Sequence, residues 1–207
     1  MNTQSFLIYL SAIQPLTPEC RNFIIKHAKE EHYTKNQIIL SEGQIADRLW
    51  FVQQGFIMGW YNKNEEKKPY LFWTTGHMMV NIPSFFLHLP SRYYIEIIET
   101  ATLLSINNAH IESMLTLFPE MHTIICSIIE DSHNDAEKKT VDMLTLEPSE
   151  RYNEVLQLYP ELLQKTSVEN IAAYLGISRK TLNRIRKTTL KNKSPDQQQY
   201  KKHHYLE

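Results

Sequence analysis

The chain has 207 residues, 42% of them hydrophobic and 22% charged, and a formal net charge of −1. That balance suits a globular protein with room for a substantial core, either one large domain or two small ones. No apolar run approaches the roughly 20 residues of a membrane-spanning helix. The opening MNTQSFLIYLSAIQP lacks the basic start and small-residue cleavage pattern of a secretory leader, so a cytoplasmic protein is expected. Two cysteines, Cys20 and Cys126, are too few for a four-cysteine zinc or iron-sulfur centre. Each sits among aliphatic residues at helical spacing and is expected to be a buried free thiol.

In chain order, LTPECRNFIIKHAKEEHY opens with Thr17 as N-cap, Pro18 at the first helical position and Glu19 in the first turn, which predicts a short amphipathic helix. From Gln37 to Ile106 the texture becomes β-rich. The runs QIIL, RLWFVQ, FIMGWY, YLFWTT, YYIEII and TLLSI alternate with glycine-bearing or charged turns. Short strands at that spacing describe a compact antiparallel barrel or sandwich, with YNKNEEKKPY as an exposed hairpin tip. From Ala109 the period lengthens to that of helices. Pro119 marks a kink or restart, and a helix from about Glu120 to Leu146 would span about 40 Å. Met121, Ile125, Ile128, Ala136 and Met143 form a near-heptad seam on it, widened by Ile124 and Ile129. Dimerisation is the favoured use of this seam; packing within one subunit is the alternative, supported by the polar Ser132 and Lys139 on it. EPSER at 147–151 reads as a break, with Ser149 capping a helix through Leu158.

The near-neutral net charge conceals an asymmetry. From Arg179 to Lys202 there are nine basic residues and one acid, and the rest of the chain carries 13 basic against 22 acidic residues. A basic end on an acidic body is an electrostatic footprint for a polyanion, although a solvated basic tail has the same composition. The segment TSVENIAAYLGISRKTLNRIRK narrows the choice. Thr166 or Ser167 can cap a helix from Val168 to about Leu175, Gly176 supplies a positive φ, and Ser178 can cap a second helix from Arg179. Ala172 is the small residue where two helices would cross, and Ile171, Leu175, Ile177, Leu182 and Ile185 close a small core. This is a helix-turn-helix pattern. Its second helix presents Arg179, Lys180, Asn183, Arg184 and Lys187 outward, where arginine can pair with guanine, asparagine can read adenine and lysine can hold phosphate.

The order helix, β-roll, long helix and helix-turn-helix resembles the cyclic AMP receptor protein and fumarate-nitrate regulator (CRP/FNR) superfamily of bacterial transcription factors, from about Leu16 to Lys187. YTKNQIILSEGQIADRLWFVQQGFI is similar to the opening of that family's β-roll, with Gly43 and Gly55 at its two glycine turns, and ISRKTLNRIRK is similar to its recognition helix. The resemblance implies an α+β fold. Residues 1–118 would be a β-roll sensor of cyclic-nucleotide-binding type with an N-terminal helix, 119–147 a dimerisation helix and hinge, 148–190 the DNA-binding domain and 191–207 a mobile polar tail. It further implies a homodimer on palindromic promoter DNA, with RNA polymerase as a partner in many members. Arg179, Lys180 and Arg184 would contact bases, with Ser178 and Thr181 near phosphate.

The resemblance breaks at the ligand pocket. Where cyclic-nucleotide-binding members carry Gly-Glu, this chain has Val80 and Asn81. Where they carry Arg-Ser-Ala, it has Arg92, Tyr93 and Tyr94, and the polar pair that meets the adenine falls at Ala136 and Glu137. Valine removes the close backbone approach that glycine permits, and asparagine lacks the carboxylate that would accept ribose hydroxyls. Cyclic AMP is therefore not expected as effector, and no cofactor is assigned. The oxygen-sensing branch needs cysteines that are missing, and His77 and His88, the two histidines open to haem ligation, read more simply as structural. Met78, Met79, Phe85, Phe86, Tyr93 and Tyr94 either line an apolar ligand site or fill it, and filling is preferred. The spacing of LQLYPELLQKTS leaves little room for a β-hairpin wing before the helix-turn-helix. No enzymatic activity is expected. Two other functions compete: a ligand-binding signalling module whose helix-turn-helix makes protein contacts, and a cupin-like metalloenzyme, for which His77 and His88 lack a third ligand at motif spacing.

Overall fold

The computed structural model describes residues 3–192. The chain divides into two compact units between Val141 and Asp142. The first unit opens with α1 (Gln4–Ile13), for which no helix is predicted; Phe6, Leu7 and Leu10 bury one face of it, and the Phe6 ring stacks 5.2 Å from Phe51. Helix α2 (Pro18–His27) starts as expected, with the Thr17 hydroxyl accepting from the Cys20 amide at 3.2 Å. It ends at His27, the last residue of the face formed with Phe23 and Ile24. Ala28 turns extended, and KEEHY forms β1 (Lys29–Tyr33), paired with β6 from Lys29↔Ser105 to Tyr33↔Ala101.

The remaining strands are β2 (Ile38–Leu40), β3 (Arg48–Lys63), β4 (Glu66–Thr74), β5 (Met78–Met79) and β6 (Tyr94–Asn107). They form one antiparallel sheet in the order β1-β6-β3-β4, with β2 added on β6 and β5 on β3. Gly43 sits at a turn as expected, at φ +84° in the loop closed by the Gln44 amide on the Ser41 carbonyl. Gly55 does not. It lies inside β3 at φ +129°, and a Cβ there would stand 2.5 Å from the Cβ of Ala101 on β6. The β3–β6 register slips repeatedly between Val52 and Ile57. Gly55 is thus the bulge that lets one bent strand run through what its glycine and the preceding QQ suggest is a turn. The β3–β4 hairpin tip is as predicted: Lys63 pairs with Glu66 across Asn64 and Glu65, both at positive φ, the signature of a two-residue type I′ turn.

Between β5 and β6 lies the short helix α3 (Ile82–Leu87), and after β6 come α4 (Asn108–Leu117) and α5 (Glu120–Thr145). Pro119 separates the last two, as its missing amide predicts. Met121, Ile124, Ile125 and Ile128 of α5 join the hydrophobic core of the β-roll. Of the residues expected on a dimer seam, Met121, Ile125 and Ile128 are buried within the β-roll of their own chain, Ala136 is half-buried and Met143 exposed. The two thiols also differ. Cys20 is buried, and burial followed by the Glu120 carboxylate pushes it up to about 12, whereas Cys126 is exposed on α5 because its position points away from the barrel.

The second unit is helical throughout its described residues, with α6 (Pro148–Leu158), α7 (Leu162–Lys165), α8 (Val168–Tyr174) and α9 (Arg179–Asn192). Helix α6 is capped at Glu147, whose amide donates to the Glu150 carboxylate at 2.8 Å, and not at Ser149: Pro148 takes the first helical position and moves the start upstream. Helix α7, which has no counterpart in the sequence reading, buries Leu162. Helix α9 continues to Asn192, two residues past the expected end of the domain; the rest of the proposed tail lies outside the described residues.

Candidate nucleic-acid interface and effector pocket

The second unit presents the helix-turn-helix. Ser167 caps α8 by accepting from the Asn170 amide at 3.1 Å. Gly176 holds φ +68°, and the Ile177 amide returns to the Ala172 carbonyl at 3.0 Å, closing the turn. Ser178 starts α9, its hydroxyl accepting from the Thr181 amide at 3.1 Å. Ile171, Ala172, Leu175, Leu182 and Ile185 are buried beneath the pair and Ile177 is half-buried, so every apolar position named from the sequence faces inward.

The opposite side of α9 carries Arg179, Lys180, Asn183, Arg184 and Lys187, all exposed and together lining one open hollow with Thr188. Ser178 is exposed at the mouth of this face and Thr181 half-buried beside it. Three details escape sequence reading. Arg179 pairs with Glu169 of α8 at 2.7 Å. Arg186, in the middle of the basic stretch, is hydrogen-bonded to the buried Tyr152, whose phenol is raised by burial and partly lowered again by that guanidinium. Arg151 of α6 ties the unit together by donating to the carbonyls of Leu146 at 2.6 Å and Leu175 at 3.2 Å.

In the first unit the pocket candidates fall into separate environments. Val80 and Asn81 are buried. The Asn81 side chain caps α3, accepting from the Ser84 amide at 3.4 Å, and donates to the Ser91 hydroxyl at 2.7 Å, which in turn donates to the Tyr93 carbonyl at 2.6 Å. Asn81 is therefore committed to bracing its own loop. Arg92 and Glu137 are exposed, and Ala136 is half-buried. Tyr94 lies flat on Trp60 at 4.2 Å. Tyr93 is buried in a cluster with Tyr61 at 5.7 Å and Tyr70 at 5.8 Å, and burial raises its phenol. Lys139 of α5 completes the cluster. Its amine donates to the carbonyls of Pro69 at 3.1 Å and Tyr70 at 3.0 Å and lies 5.8 Å from the centre of the Tyr70 ring; burial lowers it to about 7.

A separate cleft of about 370 Å³ lies between the β4–β5 turn and α5, lined by Tyr9, Trp73, His77, Met78, Asp131 and Asp135 among others. The His77 ring is engaged with Thr74 through Nδ1, 3.0 Å from that residue's carbonyl and 3.1 Å from its hydroxyl. His88 is the left-handed C-cap of α3. Among the described residues there is no group of three or more histidine, cysteine or carboxylate side chains placed to hold a metal ion, and no helix long and apolar enough to cross a membrane.

Residues 30–117 match the cyclic nucleotide-binding domain family. No curated protein matches the chain. Among solved structures, FixK2 from Bradyrhizobium japonicum superposes with a TM-score of 0.70 at 16% identity, covering 80% of this chain and 85% of that one. CLP of Xanthomonas campestris, described as a c-di-GMP responsive global regulator, gives 0.65 at 14% identity over 85% of this chain and 93% of its own. The catabolite activator protein of Thermus thermophilus gives 0.55 at 16% identity over 89% and 87%. Residues 30–117 are thus similar to a cyclic nucleotide-binding domain, and the chain shares the fold of these three structures.

Proposed function

We propose that the chain is a DNA-binding transcription regulator of the CRP/FNR type, with residues 1–118 as sensor, 119–147 as connecting helix and 148–190 as DNA-binding domain. The observation that carries this reading is the outer face of α9, where Arg179, Lys180, Asn183, Arg184 and Lys187 stand exposed above a closed apolar base. Such a face offers forked donors for guanine edges, an amide for adenine and point charges for phosphate, while the buried base fixes the register. Ser178 and Thr181 belong to its phosphate contacts. In this reading the protein binds palindromic DNA as a homodimer, with two α9 helices in successive major grooves about 34 Å apart. The dimer contact falls to the part of α5 that the β-roll leaves uncovered, from the half-buried Ala136 to the exposed Val141.

The effector pocket in this reading does not take cyclic AMP. Asn81 spends its polar atoms on α3 and Ser91, and Tyr93 occupies space with Tyr61 and Tyr70. Selection from random oligonucleotides by purified protein, without added ligand and near physiological salt, tests the proposal. Enrichment of an inverted repeat with half-sites one helical turn apart is expected. Uniform salt-sensitive binding to all sequences would refute sequence reading by the free protein, and absence of DNA binding would refute the function.

A further inference from the structure

We propose that the β-roll contains a recognition site for a primary amine, and that Lys139 of α5 occupies it from within the same chain. The site is made by β4. Strand pairing passes from Gly59↔Leu71 to Trp60↔Pro69, which leaves Tyr70 as the extra residue of a bulge. Pro69 has no amide hydrogen to give to a ladder, and it is accommodated because β4 lies at the end of the β1-β6-β3-β4 path. The carbonyls of Pro69 and Tyr70 both accept from the Lys139 amine, at 3.1 and 3.0 Å, and the face of the Tyr70 ring lies 5.8 Å away. Two carbonyls and a ring face offer only acceptors, which suits an amine head, whose N–H groups donate whether or not it is charged.

The surroundings fix the site in place. The Tyr70 ring stands edge-on to Tyr61 at 5.2 Å and tilted against Tyr93 at 5.8 Å. Tyr61 feels the positive charge of Arg92, and Tyr70 feels the carboxylate of Asp135, one turn before Lys139 on α5. These titratable groups surround the Tyr70 ring that faces the amine. A helix residue holding two strand carbonyls joins α5 to the edge of the roll, a join that a soluble amine could equally make. No such molecule displaces the lysine readily, because the tethered amine has an effective concentration far above millimolar ligand. This assignment rests on the geometry of the β-roll alone and stands whether or not the second unit reads DNA.

The experiment uses the full-length chain and its Lys139→Ala and Lys139→Met variants, with n-butylamine, whose four carbons match the lysine stem, as probe. Amide hydrogen exchange is followed at pH 8 in residues 128–141 and 69–72. Loss of two net hydrogen bonds should speed exchange in both segments by about 30-fold in either variant. Millimolar n-butylamine should restore protection to Lys139→Ala, where the stem leaves a hole, and leave Lys139→Met and the unaltered chain unchanged. If Lys139→Ala fails to fold, Lys139→Met decides. Protection in Lys139→Met equal to that of the unaltered chain would mean that the stem and not the amine holds the helix, and would overturn the proposal. Equal n-butylamine effects on all three proteins, or a folded Lys139→Ala that n-butylamine does not protect, would overturn it as well.

Discussion

The Arg179 guanidinium, at the first position of α9, is held 2.7 Å from the Glu169 carboxylate of α8, with the two side chains 67% and 57% exposed. At that exposure the pair adds at most about 1 kcal/mol to stability. In the proposed reading its effect would fall on DNA binding, since the carboxylate would repel phosphate and restrain an arginine assigned to base edges. Glu169→Gln is expected to tighten binding to random DNA several-fold and to reduce discrimination between a selected site and random sequence. Titrations on both DNAs at two salt concentrations check this; unchanged discrimination would remove Glu169 from the recognition surface.

Arg184 and Lys187 both belong to the exposed side of α9 but are assigned different work. Arg184→Ala should cost about 1–3 kcal/mol on the selected sequence and relax preference at one base position in each half-site. Lys187→Ala should weaken all DNAs alike and lower the salt slope by about one. Competition binding against a panel of single-base variants separates the two.

The burial of Lys139 has a pH signature. Its amine titrates near 7 in the folded chain and, with an ordinary value of 10.5, well above that when unfolded. Between those values the unfolded chain binds the extra proton, so stability should rise with pH, by at most about 1.4 kcal/mol per unit, and level off below pH 7 where both states are charged. Denaturant melts of the β-roll unit from pH 6.5 to 9 should show this rise, and Lys139→Met should lose that part of the slope.

At Gly55 two costs coincide, a positive φ and a Cβ position 2.5 Å from Ala101. Gly55→Ala should destabilise the β-roll by about 3 kcal/mol or more. Adding Ala101→Gly should relieve the contact with the Ala101 Cβ but leave both the positive φ and the 2.9 Å approach to the Ala101 Cα, giving partial rescue in thermal melts.

The helix-turn-helix was legible because its signals are local: Ser167 and Ser178 as caps, Gly176 as the turn, and inward residues at fixed offsets all lie within 22 residues. The β-roll was legible in outline and not in its joints. Gly55 looks like a turn because a strand bulge and a loop both call for glycine, and only the distant Ala101 decides between them. KEEHY does not read as a strand because its pairing partner lies some 70 residues later in β6. Helix α1 went unread although Phe6, Leu7 and Leu10 carry the signal. In the β-roll the substitutions at Val80, Asn81 and Tyr93 were visible, but the tie between α5 and β4 was not: Lys139 looks like a polar interruption of a helical seam until the bulged carbonyls of β4 are seen to accept from it.

Helix α5 gives Met121, Ile124, Ile125 and Ile128 to the interior of its own β-roll. A single chain therefore holds everything needed to complete that interior, and if the protein acts as a pair, pairing is not required for it. The melting temperature of the first unit should then be independent of dilution, while DNA occupancy, if it needs two chains, should fall steeply with it. Cellular abundance would in that case act as an input in its own right, setting how much of a well-folded population is competent to act.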